Sequence, residues 1–131
     1  MRSFYANAER WRPHVLSLLR IVAALLFLEH ELQKFFGFPS TAPPMTPLLY
    51  VQGVLETLGG FLLLLGVYTR PVAFILAGDM AAAYFIAHFP RSFFPAVNGG
   101  DAAVLFCFVF FFIFFAGGGR WSVDRAVLKQ D

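Results

Sequence analysis

The chain has 131 residues, of which 59% are hydrophobic and only 14% charged, with a mean hydropathy of +0.69. A soluble domain of this size carries about 25% charged residues, so the composition points to a bilayer as the solvent. The formal charge of +2 is too small and too scattered for a nucleic-acid partner, and the single cysteine, Cys107, rules out an intramolecular disulfide and a CxxC centre. A redox role would have to borrow its electron carrier.

Residues 1–13 form a basic, aromatic lead with Arg2, Arg10 and Arg12. The apolar stretch behind it runs into Glu29-His30-Glu31 without a small-residue cleavage site, which reads as a retained anchor rather than a signal peptide. Pro13 suits the first turn of the following helix. Four apolar segments then read as helices over about 14–36, 45–67, 71–89 and 101–116. Each is close to the ~20 residues needed to cross hydrocarbon, the last at the lower limit. The expected fold class is therefore all-α, a polytopic four-transmembrane-helix bundle forming one domain over residues 1–131. A soluble bundle of helices hydrophobic all round is the alternative. Prolines in 37–46 forbid regular helix there, and 90–100 is a second Pro/Gly-punctuated loop. Asp101 stands where the N-cap of the last helix belongs.

Charge orients these spans. Four crossings put Arg2, Arg10, Arg12, Arg70, Arg120, Arg125 and Lys129 on one side, and Lys34 and Arg91 on the other. The excess predicts both termini in the cytoplasm of a bacterial inner membrane, with the two Pro-rich loops outside. Trp11 and Trp121 mark the cytoplasmic interface.

The second and third segments form a hairpin around Tyr68-Thr69-Arg70-Pro71, and each carries one interior carboxylate, Glu56 and Asp79. At about 1.5 Å rise per residue they lie roughly 19 and 15 Å from Thr69, at similar depth. Arg20, seven residues into the first segment, is the cation to set against them. As a functional site this buried tier would bind an acidic or quinone-like head or relay protons. As architecture it would be a charge network locking three helices. Gly53, Gly59 and Gly60, with Ala77, Gly78 and Ala81, allow close helix packing around it.

A second polar tier lies toward the outer side. It comprises Glu29, His30, Glu31 and Lys34 at the end of the first helix, Gln52 in the second, His88 ending the third, and Asn98 and Asp101 around the start of the fourth. Glu31 and Lys34, three apart, can pair on one face. His30 and His88 are the pair to consider for haem or a metal, but two ligands are too few, and neither a metal site nor an intrinsic cofactor is predicted. Interfacial hydrogen bonding, or a polar entrance to a quinone or small-molecule pocket, accounts for them instead. The Phe-rich fourth helix is expected to face lipid or a second protomer, which makes a homo-oligomer one expected partner, with an aromatic cleft for a quinone ring as the lesser alternative. Cys107 within it reads as packing.

The segments LLRIVAALLFLEHELQKFFGFP, LETLGGFLLLLGVYTRP, AGDMAAAYFIAHFP, FFPAVNGGDAAVLF and GGGRWSVD, in that order over roughly 15–125, resemble the DoxX family of small bacterial membrane proteins. The resemblance implies a four-helix integral membrane protein linked to sulfur and redox metabolism. Its relatives include a subunit of a thiosulfate:quinone oxidoreductase and a protein in a membrane complex with a superoxide dismutase and a sulfurtransferase. By motif position it points to Arg20, Glu56, Arg70, His88, Asn98 and Asp101. The chain departs from the family pattern at His30-Glu31, where His-Gly is usual. The function expected is an accessory or quinone-interacting subunit of a membrane redox system, with a redox enzyme as partner. A non-enzymatic scaffold or a proton-coupled small-solute carrier is the alternative.

Overall fold

A computed structural model describes residues 1–41 and 44–130; positions 42 and 43, in the predicted loop at 37–46, lie outside the described residues. The architecture is all-helical, with no strand among the described residues. In chain order the helices are α1 (Arg2–Phe36), α2 (Pro47–Leu65), α3 (Thr69–Ala83), α4 (Pro95–Asn98), α5 (Asp101–Ala116) and α6 (Val123–Ala126). The best apolar windows of α2 and of the α3 segment through Arg91 are each only 22% buried, so most of their hydrophobic surface points outward. Those two segments are long and apolar enough to cross a membrane.

Helix boundaries follow local chemistry. Thr46 caps α2 by accepting from the Leu49 N–H at 3.2 Å, with Pro47 in the first turn. Gly66 ends α2 at φ 72°, a left-handed conformation that glycine adopts without penalty. α1 begins at Arg2 rather than at 14, because Pro13 sits inside a continuous helix. Proline removes only one donor there, and Ala6, Ala8, Glu9, Arg10 and Arg12 are tolerant helix residues with an exposed Glu9–Arg12 pair at 3.4 Å.

Past α3 the chain stays coiled but widens into a π turn over Tyr84–His88, then tightens into a 3₁₀ turn over Phe89–Arg91. The Phe89 N–H reaches back to the Tyr84 carbonyl. Pro90 has no N–H, so the ordinary ladder has to be broken at this point.

α2 lies between α1 and α3, and α3 packs along α5. Ala23, Ala24 and Phe27 of α1, Leu63 of α2, Leu76 and Met80 of α3, and Phe110 and Ile113 of α5 form the core. The expectation that the Phe-rich helix faces lipid or another protomer thus holds for one side of it, and the other side belongs to the core. Phe110 and Ile113 are fully buried and Phe27 meets the Phe110 ring edge-on at 5.2 Å, while Phe108, Phe112 and Phe115 face outward. Periodicity could not expose this division, because nearly every position of the helix is apolar.

The tail after α5 folds back across the end of the bundle. Ser17 donates to the Gly118 carbonyl at 3.0 Å and accepts from the Trp121 N–H at 2.9 Å. Gly119 sits at φ 83°, and a Cβ there would meet Ser17 and lie 2.6 Å from the Pro13 carbonyl oxygen. Gly119→Ala is expected to destabilise the protein by at least about 2 kcal/mol, from left-handed strain and overlap. A fall in melting temperature in detergent micelles checks this; unchanged melting would mean the tail is not docked.

Candidate functional site

Where the far ends of α1 and α2 meet the π turn and the start of α5, a cavity of about 330 Å³ opens. Its polar wall is His30, Glu31, Lys34, Gln52, Glu56 and His88, and its apolar wall includes Phe27, Met80, Ala103 and Phe106. Glycines in α2 allow this convergence. A Cβ on Gly53 would lie 2.7 Å from the Phe35 ring, and one on Gly60 the same distance from Leu28, so α1 could not approach as closely past larger residues.

Lys34 is the hub. Its ammonium lies 2.5 Å from Glu56 and 3.3 Å from Glu31, and both carboxylates are almost fully buried. Gln52 donates to Asp79 at 3.2 Å. Among the described residues no donor reaches Glu31 Oε2, Glu56 Oε1 or Asp79 Oδ2. Two carboxylates therefore share one ammonium, and Asp79 joins the cluster through Gln52. A protonated carboxyl can donate as well as accept, so buried carboxyl oxygens left without donors beside one ammonium are chemically suited to hold a proton.

The histidines are oriented by backbone. His30 Nδ1 donates to the Leu26 carbonyl at 2.8 Å and His88 Nδ1 to that of Asn98 at 3.1 Å. A carbonyl can only accept, so Nδ1 carries the hydrogen in each ring and Nε2 of the neutral imidazole is left as an acceptor. His88 holds its place through the π turn and through Asn98. That buried amide donates to the Ser92 carbonyl and the Tyr84 hydroxyl, and accepts from the Gly100 N–H.

The expected tiers are thus regrouped. Glu56 and Asp79 come together as the hairpin predicts, but with Lys34 and Gln52 from the outer tier. Arg20 does not join them. Its guanidinium is buried at the opposite end, bonded to the carbonyls of Gly118, Trp121 (2.7 Å) and Leu64 (3.4 Å). Its length lets it reach the ends of α2 and α5, where unpaired carbonyls accumulate. Glu29 is exposed outside the cavity. Asp101 is an exposed first-turn residue, and Gly100 occupies the N-cap position without a side-chain cap. Asn98 organises the loop rather than lining the cavity. Arg70 donates to the carbonyls of Phe114 and Phe115 at the end of α5. Among the described residues no group of three or more His, Cys, Asp or Glu could hold a metal.

Sequence reasoning missed Asp124. It accepts from the Tyr68 and Thr69 N–H groups at 2.7 and 2.8 Å, capping α3 from 55 residues away, and its own N–H bonds the Gly66 carbonyl. An acidic residue in a polar tail carries no local signal of such a role. Phe27 and Phe106 could not be singled out as cavity walls from the sequence, because they are two among 18 phenylalanines.

The sequence profile of the DoxX family matches residues 15–89, which carries the α1 end, Glu56, Asp79 and His88. The chain belongs to the DoxX family. An uncharacterised protein of Haemophilus influenzae is 40% identical to this DoxX protein over 95% of the chain and 98% of the relative. An uncharacterised membrane protein of Mycobacterium tuberculosis is 26% identical over 90% of the chain and 84% of that relative. No solved structure matches. With its apolar, outward-facing helices, this DoxX chain is a membrane protein.

Proposed function

We propose that this DoxX protein crosses the bacterial inner membrane four times, by α1, α2, the α3 segment and α5, with both termini in the cytoplasm. In this reading it binds the head of a quinone in the outer cavity, as an accessory subunit of a membrane redox enzyme. The excess of positive charge at the end carrying the termini supports the orientation. At 16 residues α5 spans only about 24 Å, so the bilayer thins or the polar ends of the loops dip around it.

The observation that carries the reading is the donor and acceptor inventory of one cavity. Lys34 has three N–H groups and uses two on Glu31 and Glu56; Gln52 has two and uses one on Asp79. One donor on each remains for quinone carbonyl oxygens. The Nε2 atoms of His30 and His88 suit the hydroxyls of the reduced form. Phe27 and Phe106 offer an aromatic wall to the ring. A bound quinone would supply two-electron carriage, and the Glu56–Asp79 pair would hold the proton that balances charge beside it.

Organic extraction of the gently purified protein tests this. About one isoprenoid quinone per folded chain is expected, and Gln52→Leu should lower affinity for an added quinone by about tenfold through loss of one hydrogen bond. Folded wild-type protein that neither carries nor binds quinone would refute the reading and move attention to proton-coupled uptake in sealed vesicles.

A further inference from the structure

The polar cavity has an apolar neighbour. A hollow of about 360 Å³, lined solely by the side chains of α1 and α5, shares His30, Ala102 and Phe106 with it as a common wall. From His30 the hollow follows Leu26, Val22 and Leu19 on one side, with Leu105 and Val109 on the other. The two helices run antiparallel, so the stretch of α1 from Leu19 to His30 makes a groove roughly 16 Å long, descending from the cavity toward the bilayer centre. Apart from His30, its lining residues are all apolar, and Val22, Leu26 and Leu105 are between 46% and 66% exposed, so it lies open to lipid along its length. It exists because α1 packs mainly on α2 and α5 on α3, leaving the α1–α5 seam sparsely filled beyond the Phe27–Phe106 and Phe27–Phe110 contacts. At the junction the His30 and Phe106 rings meet edge-on at 5.8 Å.

Resting on the reading of the cavity as a quinone-head site, we infer that the α1–α5 groove is the channel for the hydrocarbon tail, and that the ligand enters sideways from the membrane past His30 and Phe106. The occupant is an isoprenoid or alkyl chain attached to the bound head. Continuity argues for it, because a head among Lys34, Gln52 and Glu56 has an apolar exit at Ala102 and Phe106 leading directly into a lipid-facing slot. A tail gains no hydrophobic transfer energy on leaving lipid for such a groove. The groove therefore acts sterically, letting a tailed molecule seat its head.

The test compares two probes in phosphatidylcholine nanodiscs, a tailless ubiquinone analogue and decylubiquinone. Val22→Trp and Leu105→Trp each place a wedge in the groove at a lipid-exposed position, and Val54→Trp, on the exposed face of α2, is the control. Either wedge is expected to weaken decylubiquinone binding by about tenfold or more while leaving the tailless probe within about twofold. The control should change neither. If the wedges leave decylubiquinone unaffected while both probes bind, the groove holds only bilayer acyl chains and the inference is overturned alone. If neither probe binds the folded wild-type protein, the quinone reading fails and the inference falls with it.

Discussion

Lys34→Met is expected to destabilise the folded protein by about 3–5 kcal/mol, because it strips the shared counter-ion from two buried carboxylates. Glu31 and Glu56 are 3% and 1% exposed, and the Lys34 ammonium is the only cation within 4 Å of either among the described residues. The measurement is thermal melting in detergent micelles, with helix content by circular dichroism. Adding Glu31→Gln and Glu56→Gln to Lys34→Met should restore most of the loss, since neutral amides do not need the ammonium. A single Lys34→Met variant that melts like wild type would mean that the carboxyls are neutral or well solvated without lysine. The charge-cluster account of the cavity would then be wrong.

Arg20→Met is expected to cost a similar amount, about 3–5 kcal/mol, for a different reason. Each carbonyl left buried without a donor costs about 1–3 kcal/mol; Arg20 serves those of Trp121 and Leu64, and shares that of Gly118 with Ser17. The fork of the guanidinium ties α1 to the end of α2 and to the returning tail, so Arg20→Lys, with a point charge in place of a fork, should recover less than half. Beyond a lower melting temperature, the tail should become accessible. Trypsin should cut at Arg120 and Arg125 in Arg20→Met under conditions that leave wild type intact. Quinone binding at the opposite end should persist in whatever fraction remains folded. A protected tail with wild-type melting would show that Ser17 and Asp124 hold it without the arginine.

The two variants separate the two ends of the bundle. Arg20, Ser17 and Asp124 form a lock built on backbone carbonyls and N–H groups, in which every partner is part of the fold. Lys34, Glu31, Glu56, Gln52 and Asp79 form a cluster around a hollow, with carboxyl oxygens lacking donors. A buried acceptor without a donor is costly, and its presence beside a cavity points to an exchangeable proton or ligand.

By itself the sequence determined what one-dimensional patterns encode. Apolar runs near membrane length, broken by prolines and glycines, specify the helices and their order, and α5 begins and ends where the run from Asp101 to Ala116 does. Similar spacing from the Tyr68–Pro71 turn sets Glu56 and Asp79 at similar depth, because a hairpin converts sequence distance into depth. The tertiary structure alone decided the rest. Which cation meets those acids depends on how α1 leans on α2, and close packing at Gly53 and Gly60 lets Lys34 arrive while Arg20 turns to the other end. The capping of α3 by Asp124 joins residues 55 apart, a pairing that no local pattern records. The groove between α1 and α5 is a gap left by what each helix packs against instead. Gaps are properties of three-dimensional packing, and in a chain where nearly every lining residue is apolar, no residue announces one.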